Sequence, residues 1–206
     1  MLEQAVDPFG RIANYYQDLV QKYGHDPRAC DYGRPQSQEI KFRVLSEAMP
    51  VKCRSVLDVG CGFADFHRFL RDNFGEVRYS GIDVCPAMVE EARRLDPGCE
   101  VKLANILDDS IRERFDLVTA NGIFYLLGDE AWPTMQEIVR RMYAVAEHAV
   151  AFNSLSSWAE DKEPGEYYGD PAEVLQFCRT LTPWVVLRHD YHPRDFTIYM
   201  YKTAKA

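Results

Sequence analysis

The feature that most constrains this chain is a short apolar run that ends in two glycines, VLDVGCG at residues 56–62. The run is rich in β-branched residues, which predicts a buried strand over 55–59. The glycines permit a tight turn in which a ligand can approach the backbone closely. A helical pattern follows at 66–74. A buried strand, a glycine turn and a helix in this order predict an α/β fold with a ligand site at the turn.

Strand and helix patterns alternate along the rest of the chain, which predicts a parallel sheet. The last two strand patterns have no helix between them, so they must pair as an antiparallel hairpin. We therefore predict a seven-stranded Rossmann-like sheet of five parallel strands plus a C-terminal antiparallel hairpin, with helices on both faces. The predicted strands lie at 55–59, 77–83, 101–104, 116–121, 149–153, 184–190 and 196–202. The predicted helices between them lie at 66–74, 86–95, 132–148 and 170–181.

Two further helical patterns precede the sheet, at 9–23 and at 35–49. A glycine and prolines follow them at positions 24, 27 and 50, and these residues end helices. The two patterns predict an N-terminal helical cap. A chain of 206 residues fits one domain, in which the cap covers 1–50 and the Rossmann-like core covers 51–206.

The side chains around the glycine turn argue against a dinucleotide ligand. A dinucleotide loop has a third glycine where this chain has Asp65, and a carboxylate there would repel a pyrophosphate. Asp58 stands two residues before Gly60, at the mouth of the strand. An acid at this position suits a ligand with a positive headgroup, although it could also cap the helix that follows. A cofactor that carries an ammonium and a sulfonium, and no phosphate, fits these residues.

Polar or small residues also follow the next three predicted strands. Asp83 ends the second strand, twenty-one residues after Gly62, where an acid can accept hydrogen bonds from both ribose hydroxyls. The alternative for Asp83 is an exposed turn residue. In open α/β sheets the ligand lies across the carboxyl ends of the strands, so these residues should line one site. The third and fourth strands end at Asn105-Ile106 and Asn121-Gly122.

The motif order LDVGCG, GIDVCPAMVEEAR, AN and FDLVTANGIFYLL resembles motifs I to IV of class I S-adenosylmethionine-dependent methyltransferases. Flanking segments such as DYGRPQSQEIKFRVL and YYGDPAEVLQFC are similar to small stand-alone methyltransferases sometimes labelled trans-aconitate methyltransferase-like. The resemblance implies S-adenosyl-L-methionine (SAM) as the cofactor and S-adenosyl-L-homocysteine (SAH) as the product. It does not name the acceptor, because fold and cofactor do not determine substrate.

The resemblance also assigns cofactor contacts. The loop would hold the methionine part of SAM, the acid after the second strand would hold the ribose, and neighbouring apolar residues would line the adenine pocket. The family commonly has an aspartate facing the adenine amine where this chain has Asn105, whose carbonyl can accept the same hydrogen bond. The predicted cofactor residues are Asp58, Gly60, Cys61, Gly62, Asp83, Val84, Met88, Asn105, Ile106, Asn121 and Gly122.

The acceptor should be covered by segments outside these motifs, namely 10–38 and 154–170. Both are rich in aromatic residues, which suit a small-molecule site. We expect both segments to close over the cofactor as a lid and to shape the acceptor pocket, with a solvated acidic loop as the alternative for the second. A core position is the alternative for Tyr16. The predicted substrate-binding residues are Tyr16, Tyr32, Arg34 and Tyr168, and the predicted catalytic residues are Tyr125, Asn153 and His192.

Composition limits the partners. The net charge of −8 disfavours nucleic acid, which requires clustered excess Lys and Arg. No apolar run reaches the length of a membrane span, and the N-terminus has no signal-peptide pattern. The six cysteines show no metal or disulfide spacing, so we expect free thiols, a cytoplasmic protein and no bound metal. A monomer or a homodimer is compatible with these observations.

Three function classes remain open at this point. The first is a SAM-dependent methyltransferase that acts on an oxygen or nitrogen atom of a small molecule. The second is a methyltransferase for protein or peptide side chains, which is disfavoured because the chain has no added segment for docking a macromolecule. The third is a SAM-fold protein that binds the cofactor without methylating.

Overall fold

The computed structural model describes residues 7–31, 35–108 and 111–204. The helices are α1 (Pro8–Tyr23), α2 (Pro35–Ser46), α3 (Asp65–Phe74), α4 (Pro86–Leu95), α5 (Ala131–Val145) and α6 (Pro171–Leu181). The strands are β1 (Ser55–Val59), β2 (Arg78–Asp83), β3 (Glu100–Leu103), β4 (Phe115–Ala120), β5 (Ala146–Leu155), β6 (Val185–Arg188) and β7 (Asp195–Tyr201). Short 3₁₀ turns lie at Pro27–Cys30 and Gly128–Glu130.

The seven strands form one sheet in the order β3-β2-β1-β4-β5-β7-β6. Strands β1 to β5 run parallel, and β7 pairs antiparallel with both β5 and β6. The predicted architecture is therefore confirmed. The last strand lies between β5 and β6, so Asp195 at its beginning is opposite Leu155 at the end of β5. This pairing brings the link between β6 and β7 to the edge where the parallel strands end.

The sheet is buried on both faces, and alternate residues of a strand pack in different clusters. On β7, Phe196, Ile198 and Met200 join the cluster that includes α5 and α6. The intervening Tyr199 and Tyr201 join the cluster that includes α2, α3 and α4. This period of two follows from strand geometry, and it places helices on both sides of the sheet as predicted.

Helix α1 lies over the cofactor loop. It begins at Pro8, where the Asp7 side chain accepts hydrogen bonds from the backbone N–H groups of Phe9 (3.0 Å) and Gly10 (3.2 Å). Aspartate is a favoured N-cap, and proline suits the first helical turn. A small cluster centred on Phe63 and Met88 packs against apolar residues of α1. The division into a cap (1–50) and a core (51–206) stays a prediction.

Several predicted boundaries are wrong. The helix predicted over 132–148 ends at Val145, and the strand predicted over 149–153 begins at Ala146 and extends to Leu155. Ala146 pairs with Phe115 of β4, and this pairing overrides the helical propensity of the three residues after Val145. Helix α2 ends at Ser46 rather than Met49. Its continuation is a tightened turn of i to i−3 hydrogen bonds, such as Met49 N–H to the Ser46 carbonyl.

The six cysteines are all free thiols. Within residues 7–31, 35–108 and 111–204, no helix combines the length and the apolar character that a bilayer crossing demands.

Candidate active site

The glycine turn after β1 has the strained backbone that its sequence predicts. Gly60 has φ 71° and Gly62 has φ 53°, both in the left-handed region that favours glycine. The backbone N–H groups of Gly60 and Cys61 both donate to the Ile82 carbonyl, at 2.8 and 3.0 Å. A Cβ atom on Gly60 would lie 2.3 Å from Cγ2 of Ile123. Glycine is therefore required at position 60 both by conformation and by space.

Asp83 connects this turn to the end of β2. Its Oδ2 accepts a hydrogen bond from the Gly62 N–H at 2.8 Å, and its Oδ1 accepts one from the Cys85 N–H at 2.9 Å. The residue is buried, and burial raises its pKa although the backbone donors oppose the shift. Each carboxylate oxygen has lone pairs beyond the one that a backbone N–H uses. Asp83 can therefore hold the loop and accept ligand hydroxyls together.

Asp58 is buried beneath the same turn. Its Oδ2 accepts from the Tyr79 hydroxyl at 2.7 Å, and its Oδ1 accepts from the Thr119 hydroxyl at 3.0 Å. Burial raises the pKa of Asp58 to about 7, and the two hydroxyl donors only partly offset this effect. Since no cation pairs with this carboxylate in the interactions above, a positive group that bound nearby would stabilise its charged form.

The ends of β3 and β4 present amide side chains. Asn105 Oδ1 accepts the Leu107 N–H at 3.0 Å, which closes a local turn. Asn153 on the neighbouring β5 is fully buried, and its Nδ2 donates to Asn121 Oδ1 at 2.6 Å while its Oδ1 accepts the Gly122 N–H at 2.7 Å. Both ends of the Asn153 amide therefore hold the β4 end in place.

These strand ends open into a cavity of about 420 Å³. This volume lies in the range of small-molecule sites. The cavity is bounded on one side by α1 and the start of α2, and on the other by the ends of β5 and β7. All the predicted cofactor residues line it: Asp58, Gly60, Cys61, Gly62, Asp83, Val84, Met88, Asn105, Ile106, Asn121 and Gly122.

A chain of hydroxyl groups forms one part of the cavity wall. The Tyr125 hydroxyl donates to Asp31 Oδ2 at 2.8 Å, and the Tyr16 hydroxyl lies 2.8 Å from that of Tyr125. Tyr15 also donates to Asp31 Oδ2, at 3.0 Å. Since Tyr125 gives its proton to Asp31, Tyr16 is the donor to Tyr125. Burial raises the pKa of Tyr16 and of Tyr125 well above their ordinary value, so both phenols stay protonated.

A buried ion-pair group forms a second part of the wall. Lys41 Nζ lies 2.9 Å from Asp195 Oδ1, and His192 Nδ1 lies 2.6 Å from Asp195 Oδ2. All three residues line the cavity. Burial alone would raise the pKa of Asp195, but the contacts with His192 and Lys41 outweigh it and hold the pKa below its ordinary value. Asp195 is therefore a carboxylate with a partner on each oxygen.

Next to this group, Arg194 and Glu166 complete the wall. Arg194 Nη2 donates to Glu166 Oε2 at 3.0 Å and to the Tyr168 hydroxyl at 2.5 Å. The Tyr168 hydroxyl in turn donates to Glu166 and accepts the Glu163 N–H at 2.8 Å. Tyr168 itself is not among the residues that line the cavity. It holds two residues that do.

The structure divides the remaining predicted residues into three groups. Tyr16, Tyr125 and His192 line the cavity. Asn153 and Tyr168 lie behind it and hydrogen-bond to lining residues. Tyr32 and Arg34 are outside the described residues.

The sequence reasoning missed several lining residues, among them the charged Asp31, Lys41 and Asp195. A histidine three residues before an aspartate, as in His192 and Asp195, is a signal that could have drawn attention to one of them. Lys41 resembles any polar residue of an amphipathic helix, and Asp31 any turn residue.

Metal-ligating side chains do not cluster in the part of the chain that the structure describes. Among those residues, no group of three or more His, Cys, Asp or Glu could hold a metal ion. The ion pairs of the cavity wall are all between protein side chains.

Residues 56–145, which contain the glycine turn and the strand ends, match a protein family described as a methyltransferase domain. A relative from Mycobacterium tuberculosis is 28% identical over 170 residues. It is named as a methyltransferase, and its name gives no acceptor. That match covers 79% of this chain and 100% of the relative. Trans-aconitate 2-methyltransferase of Escherichia coli is 35% identical over 101 residues, which are 49% of this chain and 38% of that protein.

Among solved structures, the SAM-bound magnesium protoporphyrin IX methyltransferase of Synechocystis PCC 6803 has a similar fold. The TM-score is 0.68 at 13% identity, with 98% of this chain and 100% of that chain covered. The family match over residues 56–145 and the similar relative indicate a methyltransferase domain, and the solved structure shows that the sheet has the fold of a SAM-bound methyltransferase.

Replacing Asp83 should weaken cofactor binding. Asp83→Ala removes the carboxylate that we predict to bind the ribose hydroxyls and that accepts the Gly62 N–H. Hydrogen bonds to a charged group contribute about 1.5–3 kcal/mol each, so we expect SAH affinity to fall by roughly 100-fold in calorimetry. Asp72→Ala, an exposed acid on α3, is the matched control and should bind SAH as the wild type does. Unchanged affinity in a folded Asp83→Ala protein would show that the acid is misassigned.

Asp58 should make stability depend on pH. Its pKa is about 7 in the folded chain and 3.8 ordinarily, so between these values the folded state binds a proton that the unfolded state releases. The free energy of unfolding should therefore fall as pH rises through this window and level off above it. Asp58→Asn cannot ionise and should flatten this part of the curve in denaturant unfolding at several pH values. An equal pH slope in wild type and variant would contradict the shift.

Proposed function

We propose that this SAM-dependent methyltransferase transfers the methyl group to an oxygen or nitrogen atom of a small molecule. The observation that carries the proposal is one continuous cavity of about 420 Å³, which runs from the cofactor loop to the polar wall of Lys41, His192 and Arg194. Helix α1 and the start of α2 bound it on the cap side. This enclosure suits a small acceptor better than a protein chain.

The residues present fit SAM. Gly60 and Gly62 have no side chains, so the turn backbone permits close approach by the methionine part. Asp83 keeps acceptor capacity for the ribose hydroxyls while it holds the loop. The buried carboxyl of Asp58 lacks a cationic partner among its contacts, and an ammonium group provides one. Val84, Met88 and Ile106 line the same cavity and supply apolar contacts for adenine.

When bound, SAM supplies an activated methyl group on a sulfonium. The protein then has to align the acceptor and keep water away. In our proposal Tyr16 and Tyr125 form the aromatic part of this enclosure, and their linked hydroxyls hold α1 against the end of β4. Asn153 acts as a positioning residue, because its amide holds Asn121 and Gly122 rather than reaching the cavity. Tyr168 has a positioning role toward Arg194.

The proposal is tested by incubating the protein with SAM labelled on the methyl group. One sample contains a small-metabolite extract and the other contains a desalted protein extract. We expect label in the metabolite fraction together with SAH formation. Label in the protein fraction alone would support a side-chain methyltransferase instead. If the protein binds SAH but neither fraction becomes labelled, the result would support cofactor binding without methyl transfer.

Removing the Tyr168 hydroxyl, which lies behind the cavity wall, should weaken acceptor binding more than cofactor binding. Tyr168→Phe removes the contact to Arg194 while keeping the ring. Because a hydrogen bond to a charged group contributes about 1.5–3 kcal/mol, we expect the KM for the labelled metabolite fraction to rise by roughly 10-fold. SAH affinity should stay within about twofold. Tyr143→Phe is the control, because Tyr143 lies on α5 and is not a cavity residue. A Tyr168→Phe protein with wild-type kinetics would contradict this role.

A further inference from the structure

The part of the cavity wall that comes from the link between β6 and β7 contains His192, whose ring proton has a defined position. His192 Nδ1 lies 2.6 Å from Asp195 Oδ2. Two atoms that both carry lone pairs repel at this distance, so a proton on Nδ1 lies between them. The backbone N–H of Arg194 also donates toward Nδ1, at 3.2 Å, but the buried Asp195 Oδ2 has no other hydrogen-bond donor among the described residues, so the closer contact with this negative oxygen decides the tautomer. The proton on Nδ1 leaves Nε2 as the nitrogen that can accept one.

Nε2 is on the cavity side of this arrangement. It lies 3.4 Å from the Ser37 hydroxyl, and both Ser37 and His192 line the cavity. The His192 side chain keeps 22% of its surface exposed, whereas Asp195 keeps 3%. The imidazole therefore has access to a bound molecule, and its carboxylate partner does not.

Lys41 keeps Asp195 in its charged form. It is nearly as buried as Asp195 and pairs with the oxygen that His192 does not use. An unpaired buried carboxylate would take up a proton, whereas one paired with an ammonium stays charged. A charged Asp195 can stabilise the imidazolium that forms when Nε2 takes a proton. The charged groups that face His192 are Lys41 from α2, Asp195 from β7, Arg194 beside it, and Glu166 through its contact with Arg194.

We propose that His192 is the proton acceptor of the reaction, with Asp195 and Lys41 as positioning residues, and that the acceptor is a hydroxyl or an ammonium group. The inference rests on the proposed function. Nε2 takes the proton of the acceptor O–H or N⁺–H, and a lone pair on that oxygen or nitrogen forms the bond to the methyl carbon. The bond from methyl carbon to sulfur breaks, and its electrons stay on sulfur as the neutral thioether of SAH. The proton on His192 then passes to solvent.

The other polar groups of the wall are poorer proton acceptors. Tyr125 donates its proton to Asp31, and burial raises its pKa, so it holds that proton. Asp31 Oδ2 already accepts two phenolic hydrogen bonds, from Tyr15 and Tyr125. A carboxylate acceptor would need no base. An oriented imidazole in the wall therefore favours an acceptor that has to lose a proton.

The acceptor class is tested on the labelled product from the metabolite extract. Mild base hydrolyses a methyl ester and releases volatile labelled methanol, whereas a methyl ether or an N-methyl group keeps its label. We expect the label to stay non-volatile. Release of the label as methanol would overturn the inference while leaving the proposed function intact. Absence of any labelled metabolite would instead overturn the proposed function.

The role of His192 is tested by His192→Gln, which leaves the Lys41–Asp195 pair in place. General-base catalysis contributes about 10²–10⁴-fold, so we expect kcat on the labelled metabolite fraction to fall by roughly 100-fold or more. The rise of kcat with pH to a plateau in the wild type should be lost, while SAH affinity stays within about twofold. His148→Gln, at an exposed histidine, is the matched control. A His192→Gln protein with the wild-type pH profile would overturn the assignment.

The positioning residues need variants that fold. Lys41→Gln with Asp195→Asn removes both buried charges together and avoids leaving one unpaired. We expect a folded protein whose kcat is roughly 10-fold lower, because the imidazole loses the carboxylate that orients it. Nitrogen NMR of labelled histidine in the SAH complex gives a readout without an acceptor. The His192 signal is identified as the one that is missing in His192→Gln. We expect this signal to show the Nδ1–H tautomer, and the Nε2–H tautomer would contradict the inference.

Discussion

The hydrogen bonds of Asp83 are the interaction on which the site depends. One carboxylate joins the glycine turn after β1 to the first residues after β2, through Gly62 and Cys85. The turn also bonds to the Ile82 carbonyl, so three successive backbone N–H groups of residues 60–62 are directed at the end of β2. A loop tied down in this way does not have to be ordered when a ligand arrives. Such preorganisation increases affinity because less conformational entropy is lost on binding.

The two halves of the cavity have different physical character. The half at the ends of β1 to β4 is formed by backbone, by apolar side chains such as Met88 and Ile106, and by carboxyls that hydrogen-bond to neutral donors, such as Asp83. The opposite half is formed by charged side chains that neutralise one another, with Asp195 between Lys41 and His192. Buried ion pairs contribute little net stability, because removing charges from water offsets their attraction. Their presence in a cavity wall is more readily explained by chemistry than by folding.

The parts of the site that sequence could predict are those that local backbone geometry dictates. Gly60 and Gly62 are required by positive φ, and a polar residue such as Asp83 at a strand end necessarily meets its counterparts on neighbouring strands. The partnership of Lys41 with Asp195 joins residues far apart in the chain, and no local pattern marks it. The end of α5 was missed for a related reason, since strand pairing at Ala146 overrode local propensity. Asn153 is the last residue of the predicted fifth strand, and its direction into the protein depended on the register of β4 and β5.

Because β7 runs antiparallel to β5, the residues of the acceptor wall and those of the cofactor turn come from distant parts of the sequence. A parallel strand delivers its last residues to the ligand edge, whereas β7 delivers its first, so Asp195 arrives there directly from the 189–194 link. The cofactor turn lies more than a hundred residues earlier, between β1 and α3. The link joins two paired strands at the rim of the sheet and takes no part in holding that turn. Its sequence can therefore diverge among relatives without loss of the cofactor, which offers an evolutionary route to new acceptors on an unchanged scaffold.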